Sequence, residues 1–324
     1  MKVQLKSFLK KNTVLLLLLI ISVYIWDSQQ SKLLLELPIE ENFLSHSRST
    51  TYKRISSCIY FVHGYGATNS QFYDMINYLN ESDFFHRYTI PLPLFFDYLE
   101  KYRDINLTEE EIHRLDGGIT TYASDFYDQL VKNHSKGAQI DIVAHSLGGL
   151  IIREVLRNYR DDLERNGIKF NRIVTLGSPH LGSILAQHPF KETLMTFTDS
   201  VWDSPIIESV KANSSFITQL NAYPLDYMSK VNWFFIAGVS LGILETISQR
   251  FIFNGLSCDG FVSFESALAY NLEQAANLSI NRVILQKSHY QLIHDPEEHK
   301  SYKTMIKWFD QYYPNCFPSG IIPN

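Results

Sequence analysis

This chain encodes an α/β architecture, with a mostly parallel sheet covered by helices on both faces. Three features predict it. Short apolar runs alternate with stretches of helical periodicity, the pattern of strand–crossover–strand units. One run, Gln139 to Ala144, ends abruptly in His145-Ser146-Leu147-Gly148-Gly149, after which Leu150 to Tyr159 reads as a helix. Finally, four turns carrying His, Ser or Asp fall at the C-terminal ends of predicted strands, where the chemistry of open parallel sheets gathers.

The first residues are a targeting signal rather than part of the fold. Lys2, Lys6, Lys10 and Lys11 precede an apolar stretch from Val14 to Ile21 that continues through Val23 to Trp26. A basic flank followed by an apolar core enters a membrane with its lysines on the cytoplasmic side. No small-x-small cleavage site follows, since Tyr24, Ile25 and Trp26 are bulky. Residues 1–26 are therefore read as an uncleaved signal anchor, with a cleaved signal peptide and a secreted protein as the alternative. Either places the remainder on the lumenal or extracellular side. Residues 27–54 are polar and irregular, a tether, and the folded domain is expected over 55–324. Asn-x-Ser/Thr sequons at Asn80, Asn106, Asn133, Asn213 and Asn277 are compatible with glycosylation there.

Within the domain, Ser57 to Val62 is a buried strand running into His63-Gly64-Tyr65-Gly66. Ser70 to Leu79 has helical spacing, with Phe72, Ile76 and Leu79 on one side. Tyr88 to Leu94 is a short strand weakened by Pro91 and Pro93, and 95–117 an insertion with a helix start at Thr108. Ile119 to Val131 is amphipathic. Beyond the serine turn, Arg172 to Leu176 is a strand ending in Gly177-Ser178-Pro179-His180, and 184–230 has no strand pattern. Val231 to Val239 is a strand, Asp259-Gly260 a turn, and Phe264 to Ala276 a helix. Arg282 to Gln286 is the last strand, followed by Ser288-His289-Tyr290, and Glu297 to Tyr312 is a closing helix.

Composition removes several functions. The 324 residues are 45% hydrophobic and 14% aromatic, enough for one large core. A net charge of −5 gives no footprint for nucleic acid. Cys58, Cys258 and Cys316 are too sparse for a disulfide framework, and no Cys or His cluster has metal-ligand spacing, so neither metal nor cofactor is expected.

What remains is nucleophilic catalysis. A serine hydroxyl attacks only when a base takes its proton, and the base needs a third group to orient it. In strand–elbow–helix sites the partners follow in the order Ser, acid, His. Ser146, Asp259 and His289 fit that order, each just after a predicted strand. Asp199, Asp203 and Asp226 compete for the acid but lie in the segment without strands. His294 is the alternative base, a few residues beyond His289. The tetrahedral intermediate needs two donors. The backbone N–H groups of Leu147, opening the elbow helix, and of Tyr65, between glycines, are the candidates. His63, His145 and His180 are read as structural residues around the site.

With these motifs in view the chain resembles the α/β-hydrolase lipases and the putative serine esterases, over about residues 57–312. Phe61-Val62-His63-Gly64-Tyr65-Gly66 looks like their oxyanion turn. Asp141 to Gly149 is similar to their elbow, with Ala144 where glycine is usual. Thr175 to Ser183 looks like a strand-and-turn signature they share, and Asp259-Gly260-Phe261-Val262 resembles the acid turn. The resemblance implies the α/β-hydrolase fold with a helical cap insertion at about 184–230, and ester hydrolysis through an acyl-serine, with Ser146, Asp259 and His289 in the catalytic roles. The cap segment carries Leu194, Met195, Phe197, Val201, Trp202, Ile206, Ile207, Phe216, Ile217 and Leu220. These suit acyl chains, or equally the core faces of cap helices. Together with the anchor they point to lipid esters as substrate and the membrane as partner; protein partners are left open. Other readings are a lipid-remodelling acyl hydrolase resembling glycosylphosphatidylinositol inositol-deacylases, an acyltransferase, a thioesterase, and a non-catalytic hydrolase-fold binding protein.

Overall fold

The computed structural model describes residues 58–88, 90, 93–99, 118–187, 205–222, 225–240, 255–270, 272, 278 and 280–312. The chain enters through β1 (Cys58–Val62), buried along its whole length. Its side chains alternate between two cores, Cys58, Tyr60 and Val62 joining one and Ile59 and Phe61 the other. A 3-10 turn capped by the Thr68 side chain leads into α1 (Tyr73–Glu81) and α2 (Phe84–Arg87). Then follow β2 (Pro93–Phe96), α3 (Ile119–Asn133), β3 (Gln139–His145), α4 (Leu147–Arg165) and β4 (Lys169–Leu176). The second half contributes α5 (Pro205–Val210), α6 (Ser215–Leu220), β5 (Asn232–Gly238), α7 (Phe264–Leu268), β6 (Ile280–Leu285) and α8 (Lys300–Tyr312).

The strands form one sheet in the order β2-β1-β3-β4-β5-β6, and each neighbouring pair is parallel. Burial of both faces explains why β1, β3, β4 and β5 read as near-continuous apolar runs. One face packs against α3 to α7, and the other against α1, α2 and α8. Because every strand runs the same way, all strand C-termini meet at one edge, and the turns picked out by sequence converge there.

Several boundaries differ from expectation for identifiable reasons. The strand expected at Tyr88–Leu94 lies at Pro93–Phe96 instead. It is the sheet's edge and starts on its proline, which a first residue of an edge strand tolerates. Asp97, Tyr98 and Leu99 therefore end a strand instead of opening an insertion, while Thr108 lies outside the described residues. The helix expected over Phe264–Ala276 stops at Leu268, where Ala269 turns left-handed at φ 49°.

In the segment between β4 and β5, Ile206, Ile207, Val210, Ile217 and Leu220 are buried in the same core as α4. They are core faces, and of the acyl-chain candidates expected here Leu194, Met195, Phe197, Val201 and Trp202 lie outside the described residues. The guanidinium of Arg153 on α4, itself buried, ties this segment down by donating to the carbonyls of His180 and Leu220, to Asn221 Oδ1 and to the Tyr227 hydroxyl. The anchor at 1–26 and tether at 27–54 also lie outside the described residues; among those described, no helix is long and apolar enough to cross a membrane. Asn80, Asn133 and Asn213 are exposed, and Asn106 and Asn277 are outside the described set.

Candidate active site

Ser146 is the single residue between β3 and α4, with φ 50° and ψ −119°. That backbone costs a non-glycine residue about 1–3 kcal/mol, sustained only where the surroundings over-determine it. Here they do. The Ser146 N–H donates to the Leu176 carbonyl at 2.9 Å, and its own carbonyl accepts from Gly149 at 3.1 Å. A Cβ on Gly148 would stand 2.5 Å from the Val62 carbonyl oxygen, and one on Gly149 2.2 Å from Ser178 Oγ. The glycines after the serine are thus demanded by how closely α4 crosses β1 and the loop after β4. Ala144, fully buried in β3, fills the position where glycine was expected.

Across the same edge, Asp259 lies after β5 in a tight turn and His289 follows β6. His289 Nδ1 donates to Asp259 Oδ2 at 2.7 Å. A carboxylate can only accept, so Nδ1 carries a proton in this bond and Nε2 is the ring nitrogen left to face other groups. The other oxygen, Oδ1, accepts from the N–H groups of Phe261 at 3.0 Å and Val262 at 2.8 Å. Asp259 also holds its partner's main chain, its carbonyl accepting from the His289 N–H at 2.9 Å. Gly177, at φ +59°, passes so close that a Cβ there would be 2.9 Å from Asp259 Oδ2 and 3.0 Å from His289 Nδ1. The His289 ring is 4.6 Å from that of His145, the residue before Ser146, and 5.2 Å from that of Phe261.

His294, the alternative base, is placed elsewhere. Its Nδ1 faces Asp74 Oδ2 on α1, and its ring lies 4.8 Å from that of Tyr290. Of the competing acids, Asp226 is exposed in the segment before β5, and Asp199 and Asp203 lie outside the described residues.

The two proposed oxyanion donors border the serine. Leu147 is the first residue of α4, so its N–H is one of those with no partner inside the helix, and it sits at the positive end of the helix dipole. Gly64 brings the 63–65 main chain against the elbow, since a Cβ there would be 3.1 Å from Ser146 Cβ.

The three histidines read as structural are all buried. His145 donates from Nε2 to the His289 carbonyl at 3.2 Å. Burial, then the neighbouring His289, pushes its proton affinity well below the usual imidazole range. His180 stacks on Phe235 at 4.3 Å and contacts Thr175 Oγ1 at 3.0 Å; burial, then Arg153, depresses it likewise. His63 bonds the Gly64 carbonyl from Nδ1 at 2.9 Å and faces Asp97 Oδ1 from Nε2 at 3.2 Å. Sequence reasoning passed over Asp97 and Tyr98, although their place just after the apolar pair Phe95-Phe96 marks a strand end. Among the described residues, no group of three or more His, Cys, Asp or Glu side chains is placed to hold a metal ion.

The family described as putative serine esterase (DUF676) matches residues 57–267, a span that takes in Ser146 and Asp259 and ends before His289. No curated protein matches the chain. Similar solved structures include phospholipase PlaB from Legionella pneumophila, at 17% identity and TM-score 0.48, with 65% of this chain covered. This chain spans 45% of that one. A metagenomic carboxyl esterase is 12% identical at TM-score 0.48, covering 83% of this chain and 80% of its own. A type II thioesterase from a yersiniabactin biosynthetic pathway is 14% identical at TM-score 0.46, covering 81% of this chain and 95% of its own.

Proposed function

Since this chain belongs to the putative serine esterase family (DUF676), we propose that it is a serine hydrolase of carboxylic esters, acting on lipid esters through an acyl-enzyme. The observation that carries this reading is the Asp259–His289 hydrogen bond at 2.7 Å, on the same sheet edge as the strained Ser146. Ser146 Oγ attacks the ester carbonyl as His289 Nε2 takes its proton. Asp259 keeps the imidazole in the required tautomer and offsets the charge it gains. The oxyanion accepts from the N–H groups of Leu147 and Tyr65, each such donor being worth about 10²–10³ in rate. Collapse of the tetrahedral intermediate expels the alcohol with the proton from His289. Water, activated by the same base, then releases the acid.

The lipid part of the proposal rests on the apolar segment at 14–26, which would hold the domain at a membrane on its lumenal or extracellular side. The core-buried residues of α5 and α6 lend it no support.

A fluorophosphonate probe tests the chemistry. Wild-type protein is expected to label and Ser146→Ala to lose labelling and ester turnover together, by about 10⁴-fold or more. A wild type that neither labels nor turns over any ester, while folded, ends the hydrolase reading. Hydrolysis of short soluble esters with long-chain glycerides and phospholipids untouched ends the lipid assignment alone.

A further inference from the structure

We propose that His63, Asp97 and Tyr98 form a positioning assembly for the oxyanion site. They grip the Gly64 carbonyl so that the N–H of the same peptide, on Tyr65, is held in a fixed direction. The inference rests on the hydrolase reading above and adds residues that do not touch substrate.

A peptide group is planar and trans, so its N–H points opposite to its C=O. Whatever fixes one fixes the other. The Gly64 oxygen accepts from the Tyr98 hydroxyl at 2.5 Å, from His63 Nδ1 at 2.9 Å and from the Ala67 N–H at 3.3 Å. The last of these is the bond an ordinary turn makes, and the two side-chain donors come in addition to it. A carbonyl only accepts, so Nδ1 is the donor in the bond to Gly64.

These donors are themselves anchored. The His63 ring is fully buried and stacks on Tyr98 at 4.1 Å, and Tyr98 packs on Tyr122 of α3 at 4.3 Å. Asp97, at the end of β2, lies 3.2 Å from His63 Nε2, and its Oδ1 also accepts from the Leu99 N–H at 3.1 Å.

The need for such a grip follows from the glycine. Close contact with Ser146 and His145 forbids a side chain at Gly64, since a Cβ would lie 2.9 Å from His145 Nδ1. Without a Cβ the local backbone is permissive. Its peptide plane is then set by what bonds to its carbonyl, and a donor aimed at an oxyanion contributes only when its direction is fixed in advance.

The test uses the purified full chain, p-nitrophenyl esters, and a trifluoromethyl ketone that forms a tetrahedral adduct with a serine. Tyr98→Phe keeps the ring stack and loses the hydroxyl. It should lower kcat about 10-fold and weaken the ketone by a similar factor, with KM within about twofold and an unchanged melting transition. His63→Ala should cost about 100-fold. His63→Asn, whose side-chain amide can donate from the place of Nδ1, should restore much of that loss. Tyr98→Phe with wild-type kcat, or a loss confined to KM with ketone affinity intact, overturns the assembly while leaving the hydrolase reading standing. A folded wild type without turnover removes both.

Discussion

Two Asp–His pairs share one loop and differ in everything except composition. His289 and His294 stand five residues apart in the chain, each with Nδ1 against an aspartate, His289 in a hydrogen bond to Asp259 and His294 in contact with Asp74. In the first pair the side chains are 12% and 0% exposed; in the second they are 41% and 34% exposed. Asp259 is saturated by two turn N–H groups and braces its histidine through both carboxylate and main chain. Asp74 instead sits in the first turn of α1, where a negative charge complements the helix dipole whether or not a histidine is near. An aspartate beside a histidine is therefore no sign of catalysis by itself. What separates the pairs is depth, a fixed carboxylate, and a ring set against the residue preceding Ser146.

The largest expected effect breaks the comparison outright. On the proposed mechanism His289→Ala should lower kcat by about 10⁴-fold, because it removes the base assigned to the Ser146 proton. His294→Ala should stay within about threefold. Turnover of p-nitrophenyl esters by the two variants decides between them, and a reversed pattern would make Asp74–His294 the functional pair.

The elbow was legible because a tight crossing restricts residue type, and the restriction shows in Gly148 and Gly149. Order along the chain put Asp259 and His289 after strands. The preference for His289 over His294 rested only on its place directly after the last strand, since the geometry depends on which way the loop turns after β6. Asp97 and Tyr98 were hidden for another reason. The edge strand was expected at Tyr88–Leu94 and lies at Pro93–Phe96, so the residues at its C-terminal end looked like part of an insertion. The burial of Ile206, Ile207, Ile217 and Leu220 was equally invisible, because an apolar stripe reads the same against a core or a ligand.

A second, smaller effect extends the contrast between deep and shallow histidines to stability. His145 and His180 have folded-state proton affinities well below the ordinary value of 6.5, chiefly through burial. The unfolded chain takes up those protons near 6.5 and the folded chain does not. Their stability contribution is therefore fully present above that pH and lost as pH falls below it, by up to about 1.4 kcal/mol per pH unit for each histidine. Urea midpoints between pH 8 and 5.5 should decline across the lower part of that range, and His180→Gln should decline less steeply. A flat wild-type profile would mean that these rings find room for a proton in the folded state.

The smallest effect belongs to the shallow pair. Both partners are more than one-third exposed or close to it, so solvent and salt screen their attraction and the pair should be worth about 0–1 kcal/mol. The loop that carries His289 has deeper fastenings. His145 holds the His289 carbonyl, Lys287 Nζ reaches Asp295 Oδ1 at 2.8 Å, and the Tyr302 hydroxyl donates to the Ile293 carbonyl at 2.8 Å. None of these involves Asp74. Asp74→Asn should therefore leave kcat within about twofold, and a double-mutant cycle with His294→Gln should give a coupling below about 1 kcal/mol that shrinks further in 1 M salt. A coupling above about 2 kcal/mol, or a tenfold fall in kcat, would show that α1 holds the base loop through this pair after all.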